Sequence, residues 1–221
     1  MFVAKNRLIS LTGRIIGFGL LLAATIFYFI DIGNIGEALL YFNIESCLIF
    51  LLVLFIEIVS NCIDLRHGIN GIPAGITMKV ALPCISYAVI SGILYFAITI
   101  REHPNTYSHI GLLFNIALIV IPLADFLFLD EKGSVRWYNA FFSMVYPLFY
   151  MVFMMLKAYI WPNILFYGSQ TYTYDFLNPI NPYFAWYVIA AFLILYAFNL
   201  VITFLNNLLS GKYEYLFRRE E

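Results

Sequence analysis

The sequence predicts an all-α polytopic membrane protein with six transmembrane helices and both termini cytoplasmic, on three observations. Of the 221 residues, 63% are hydrophobic and 11% charged, whereas a soluble domain carries roughly 25% charged residues. At a mean hydropathy of +0.87, a soluble fold would leave large apolar patches in water. The apolar residues gather into six runs, each near the ~20 residues that cross a bilayer as a helix and each too long and unbroken for a strand. The basic residues are also asymmetric across those runs. With the N-terminus inside, Lys5, Arg7, Arg14, Arg66, Lys79, Lys132, Arg136, Lys212, Arg218 and Arg219 fall on the inner side, against Arg101 and Lys157 outside. That bias fits an even number of spans.

The first predicted span is 8–30, with Arg14 near its inner end. Lys5, Arg7 and Arg14 precede an apolar run that passes Ala23-Ala24 without a convincing cleavage site, so it is predicted as a retained helix and not a signal peptide. Gly13 and Gly17 in this span have the spacing that lets helices approach closely. The second span, 44–63, lies in a polar-dotted stretch with Asn43, Glu45 and Ser46 at one end and Glu57, Ser60 and Asn61 at the other. Carboxylates inside a bilayer are costly and face a bundle interior. The third span is 80–100 and contains Pro83. The fourth, 110–129, holds Asn115, Pro122 and Asp125. The fifth, 139–161, is interrupted by Pro147, and the sixth is 183–209. Six such spans leave roughly 90 residues for loops and ends, too few for a soluble domain, so residues 1–221 are predicted to form one transmembrane domain. The segment 162–182, rich in tyrosine and proline, is predicted to lie at headgroup level and fold over the outer mouth of the bundle. The tail 211–221 is predicted as a short interfacial helix.

Two polar constellations follow from this topology. Asn43, Glu45, Ser46, Asn115 and Lys157 fall toward the outer side and are candidates for a polar cavity in which Glu45 meets substrate and Lys157 supplies a countercharge. Interfacial snorkelling of Glu45 and Lys157 is the favoured alternative, since both lie within a turn or two of a span boundary. Arg14, Glu57, Asn61, Asp125 and Asn139 fall toward the inner side and are candidates for a buried network, with an Arg14–Asp125 or Arg14–Glu57 pair fixing helix register or holding a proton or cation. Lys79, Arg136 and Asn199 have similar depth.

Other chemistry is excluded or unsupported. A net charge of −1 and no basic stripe argue against nucleic acid as a partner. Cys47, Cys62 and Cys84 form no C-x-x-C pair and are predicted as free, buried thiols. His103 and His109 share an outer turn, but their spacing matches no standard metal site, and His67 stands alone, so no metal is predicted. No cofactor fingerprint, nucleotide loop or hydrolase elbow occurs.

Short motifs carry a resemblance over residues 41–209. Tyr41-Phe42 with Ser46, the run Pro122, Asp125 and Phe128, Tyr146-Pro147 with Tyr150, and Tyr172, Tyr174, Phe176 and Leu177 resemble the bacterial Pr6Pr membrane proteins. These six-span proteins are distantly similar to the androgen-induced and androgen-dependent membrane hydrolases of animals. The resemblance implies a bacterial plasma membrane, membrane lipids as neighbours, and a threonine–histidine dyad acting on lipid esters. Here the threonine position holds Asn43, and the histidine position, Ala117 or Leu118, holds no base. A carboxamide is no substitute for an activated hydroxyl. The reading is therefore a family member that holds a lipid or apolar small molecule without the dyad. A hydrolase built on Ser46 and Glu45, or a substrate-binding transport subunit, are the alternatives.

Overall fold

The computed structural model describes residues 7–68, 76–100, 108–130, 132–133, 135–166 and 171–210. Lys5, Arg101, His103, Lys212, Arg218 and Arg219, and the predicted tail helix, lie outside these residues. Six helices are long and apolar enough to span a membrane: α1 Arg7–Ile32, α3 Phe42–Arg66, α4 Met78–Thr99, α5 His109–Leu129, α6 Trp137–Ile160 and α7 Phe184–Ser210. A one-turn helix, α2 Ile35–Ala38, sits between α1 and α3. The described residues contain no strand, so the chain is an all-α multi-pass membrane protein. Every span end lies within three residues of its predicted place. The differences arise because helices such as α3 run on past the apolar slab, into Asp64 and Arg66.

Large side chains such as Leu8, Ile16, Leu20, Phe27, Phe55, Phe149 and Trp186 are exposed around the outside of the bundle, the belt that a bilayer would cover. The centre is α4. Of its apolar window 72% is buried, against 17% for α1 and 22% for α7. It packs on α3, α5, α7 and the first part of α6, while α1 lies across α3 and α5. Gly92 explains the tight α4–α5 seam: a Cβ there would stand 2.7 Å from Ile119 Cγ1 and 2.9 Å from the Asn115 carbonyl oxygen. The Gly13–Gly17 face does similar service for α1 on α5, against Leu129 and Ile121.

The α1–α3 pair is antiparallel with one register from end to end. Arg7 meets Asp64, Arg14 meets Glu57, and Tyr28 hydrogen-bonds with Asn43. Each two-turn step along α1 is matched by an equal step back along α3, and a seven-residue repeat keeps two helices in contact. Fully buried Leu21 and Phe50 occupy the intervening step. Thr25 Oγ1 lies 3.2 Å from Cys47 Sγ beside it.

Three spans change helix type. α4 ends in a π turn, Tyr95–Thr99. α5 widens into a π turn, Asp125–Leu129, just after Pro122, which cannot donate a backbone bond. α6 starts as a 3-10 segment, Trp137–Met144, before its α-helical part, Val145–Ile160. That change matters at the far end of the bundle. α7 packs on Trp137–Met144 but diverges from Val145–Ile160.

Between α1 and α2 the chain turns at Gly33, whose φ of 73° is open to glycine at little cost. Beyond α6, residues 161–166 and 171–177 fold back over the end of the bundle opposite the N-terminus. Phe166, Thr173, Tyr174 and Leu177 are buried there. Tyr150 holds this cover, donating to the Leu40 carbonyl at 3.0 Å and sharing a 3.1 Å bond with Thr173.

Candidate functional site

The N-terminal end of the bundle carries a buried charge cluster. Arg14, on the α1 face that meets both α3 and α5, reaches Glu57 at 3.1 Å, Asp125 at 3.1 Å and Asp130 at 2.7 Å. All four residues are at most 5% exposed, a depth at which charges require partners. The π turn assembles the site. Its i→i+5 bond, from Asp130 N–H to the Asp125 carbonyl at 3.1 Å, brings residue 130 back over residue 125, so both carboxylates face Arg14. Glu57 also accepts from the Ile76 N–H at 2.6 Å. Lys132 folds into the same region, donating to the Phe126 carbonyl with its ammonium 4.2 Å from the Phe126 ring centre.

Asp130 and Lys132 lie just past the end of α5. Burial pushes the Asp130 carboxyl well above the usual carboxylate range; the Asp125 charge adds to this, and Arg14 and Lys132 oppose it. Burial pulls the Lys132 ammonium down to about 8 against the attraction of Asp130 and Asp125.

Of the five residues predicted for an inner network, Arg14, Glu57 and Asp125 form this cluster. Asn61 and Asn139 are buried nearby in sequence, but neither Asn61 amide atom nor Asn139 Nδ2 has a hydrogen-bond partner among the described residues. Asn199 belongs elsewhere: it accepts from Ser86 Oγ at 2.6 Å. Lys79 and Arg136 are exposed. Asp130 and Lys132 are members that sequence reasoning missed.

At the opposite end, the five residues predicted to line one polar cavity fall into separate contacts. Asn43 Nδ2 donates to Asn115 Oδ1 at 3.1 Å, and Asn115 in turn donates to the Gly111 carbonyl at 2.8 Å. Glu45 accepts from Tyr146 Oη. Ser46 is fully buried, its hydroxyl without a partner among the described residues. Lys157 donates to the Ile164 and Thr171 carbonyls with its ammonium 4.3 Å from the Phe166 ring centre. Lys157 is therefore neither a countercharge to Glu45 nor a snorkelling side chain; at 0% exposure it ties the covering segment to α6. The reason is chain geometry, because the segment that follows α6 presents carbonyl groups closer than any carboxylate of α3.

One of two spaces at this end is apolar. A cavity of about 90 Å³ lies between α4, α6, α7 and the covering segment, walled by Phe42, Ile90, Pro147, Met151, Phe176 and Leu195. It sits where α7 parts from α6, and Ala191 on its α7 wall is exposed on the outside of the bundle. Tyr146 connects this wall to Glu45, its ring stacked 5.7 Å from Phe42 and tilted against Tyr87 at 5.1 Å. A second space of about 270 Å³ adjoins Tyr28, Asp31, Glu37, Tyr41, Tyr95 and Thr99.

No protein-family model, no curated protein and no solved structure matches this chain. The three cysteines are free, with Cys47 and Cys84 buried; Cys62 is exposed, a correction to the prediction of three buried thiols. Among the described residues no group of histidine, cysteine or carboxylate side chains forms a metal site.

Proposed function

We propose that this chain holds a lipid or other apolar small molecule within the bilayer, as a Pr6Pr-like member of a bacterial plasma membrane. The observation that carries the reading is the apolar cavity beside the α6–α7 parting, roofed by residues 171–177. Its volume is below the roughly 150 Å³ of apolar cavities that admit benzene. It suits the end of one linear chain arriving laterally from the bilayer. Lysine–carbonyl and tyrosine–threonine bonds hold the roof.

The position where the resembled proteins carry a nucleophile holds Asn43, and it is engaged with Asn115. Ser46 and Glu45 do not pair, since Glu45 is taken by Tyr146. Neither arrangement activates a hydroxyl, which favours holding over hydrolysis.

Native mass spectrometry in a gentle detergent tests this. Wild-type protein is expected to carry a bound lipid-sized mass. Ala191→Trp, which fills the α7 wall, is expected to lower its occupancy about tenfold while leaving thermal stability close to wild type. A wild-type spectrum with no retained mass, or equal retention by the variant, overturns the reading.

A further inference from the structure

The Arg14 cluster is short of positive charge. Among the described residues it places three carboxylates, Glu57, Asp125 and Asp130, around two cations, Arg14 and Lys132, and these five act on one another electrostatically. Of the other charges described at this end, Arg66 is exposed. Arg7 and Asp64 face each other across α1 and α3, and Lys79 on α4 and Arg136 before α6 are exposed. Buried charge in excess of its counter-charge is strongly unfavourable.

A second observation points to what completes it. Between the Arg7–Asp64 and Arg14–Glu57 rungs, the same register sets Ser10 opposite Asn61. Both are fully buried, and among the described residues Ser10 Oγ and both amide atoms of Asn61 lack partners. Asp130 Oδ2 is also without a partner among the described residues, on a residue 5% exposed. Buried polar groups are almost always satisfied, and hydroxyl, amide and carboxylate oxygens are ligands for a hard cation.

We propose that the Arg14 cluster, with Ser10 and Asn61, is a binding site for one monovalent cation, a proton or a sodium ion. A proton would be held on one of the three carboxylates. A sodium ion would take oxygens from the Ser10–Asn61 layer and from Asp130. Either brings five side chains to zero net charge. Occupancy stabilises the fold, because only the folded chain assembles the site.

Thermal melting of the purified full-length chain in detergent tests this in two arms. One arm exchanges sodium for N-methylglucamine at constant ionic strength and pH 8; the other scans pH 5 to 9 without sodium. If sodium fills the site, its presence raises Tm by at least roughly 2–4 °C. If a proton does, the site binds more protons folded than unfolded across this range, so Tm falls by a similar amount as pH rises. Asp130→Asn removes the excess charge and is expected to flatten whichever response the wild type shows; Glu57→Gln serves in the same way if that variant does not fold. A wild-type Tm that responds in neither arm, or a response that survives neutralisation in the variant that folds, overturns the proposal.

Discussion

The two ends of the bundle solve the problem of polar groups in a membrane differently. At the N-terminal end, charges converge: Arg14 serves carboxylates from α3, α5 and the residue just beyond α5. At the other end each polar side chain finds a local partner, Asn43 with Asn115, Glu45 with Tyr146 and Lys157 with carbonyls of its own covering segment. One of the two spaces left over there is lined by carbon. A convergent network concentrates dependence on one residue, whereas dispersed pairs allow helices such as α6 and α7 to part. The first arrangement fixes how the helices sit, and the second leaves space for something else to enter.

The largest test of that contrast is Arg14→Ala. It leaves three buried carboxylates facing one another and is expected to cost about 3–5 kcal/mol, seen as loss of monodisperse protein on size exclusion in detergent. Arg14→Lys, with a single ammonium in place of a planar fork, should recover part of the yield. Lys157→Met should act locally. It leaves buried carbonyls without a donor at a cost of about 1–3 kcal/mol, and hydrogen exchange should rise in residues 171–177 while α1 and α3 stay protected. Equal loss of protection at both ends would break the comparison. The smallest effect is expected from Thr25→Val, which removes the Thr25–Cys47 contact midway between the ends. Interhelical hydrogen bonds in membranes average about 0.6 kcal/mol, so melting should change only slightly. A shift as large as that of Lys157→Met would show that the middle of the α1–α3 seam bears more than its packing implies.

The spans were legible because the bilayer constrains length and composition so strongly that a run of apolar residues has one reading. Arg14, Glu57 and Asp125 were legible as partners because topology alone sets them at one depth. Asp130 was not. At 3.6 residues per turn it falls off the face that Asp125 occupies, and only the π turn after Pro122 brings it back. The signal that could have found it was the acid-rich Asp125–Asp130 stretch beside a helix-disrupting proline. Lys157 misled for a related reason: sequence placed it near Glu45 in depth, while its contacts depend on a return of the chain at Ile164 and Thr171 that no periodicity encodes. The cavity was invisible for the same cause, since it exists only where two long helices fail to meet.

The Arg14 cluster also sets an order of events during synthesis. Its acceptors Asp125 and Asp130 lie 111 and 116 residues downstream. At 5–20 residues per second they emerge on the order of ten seconds after Arg14. During that interval α1 carries a guanidinium that lipid accepts only near the headgroups. Glu57 on α3 is made before Asp125 and Asp130, so Arg14 gains its carboxylate partners in two steps. Arg14 is enclosed only once the fourth of the six spans has been made.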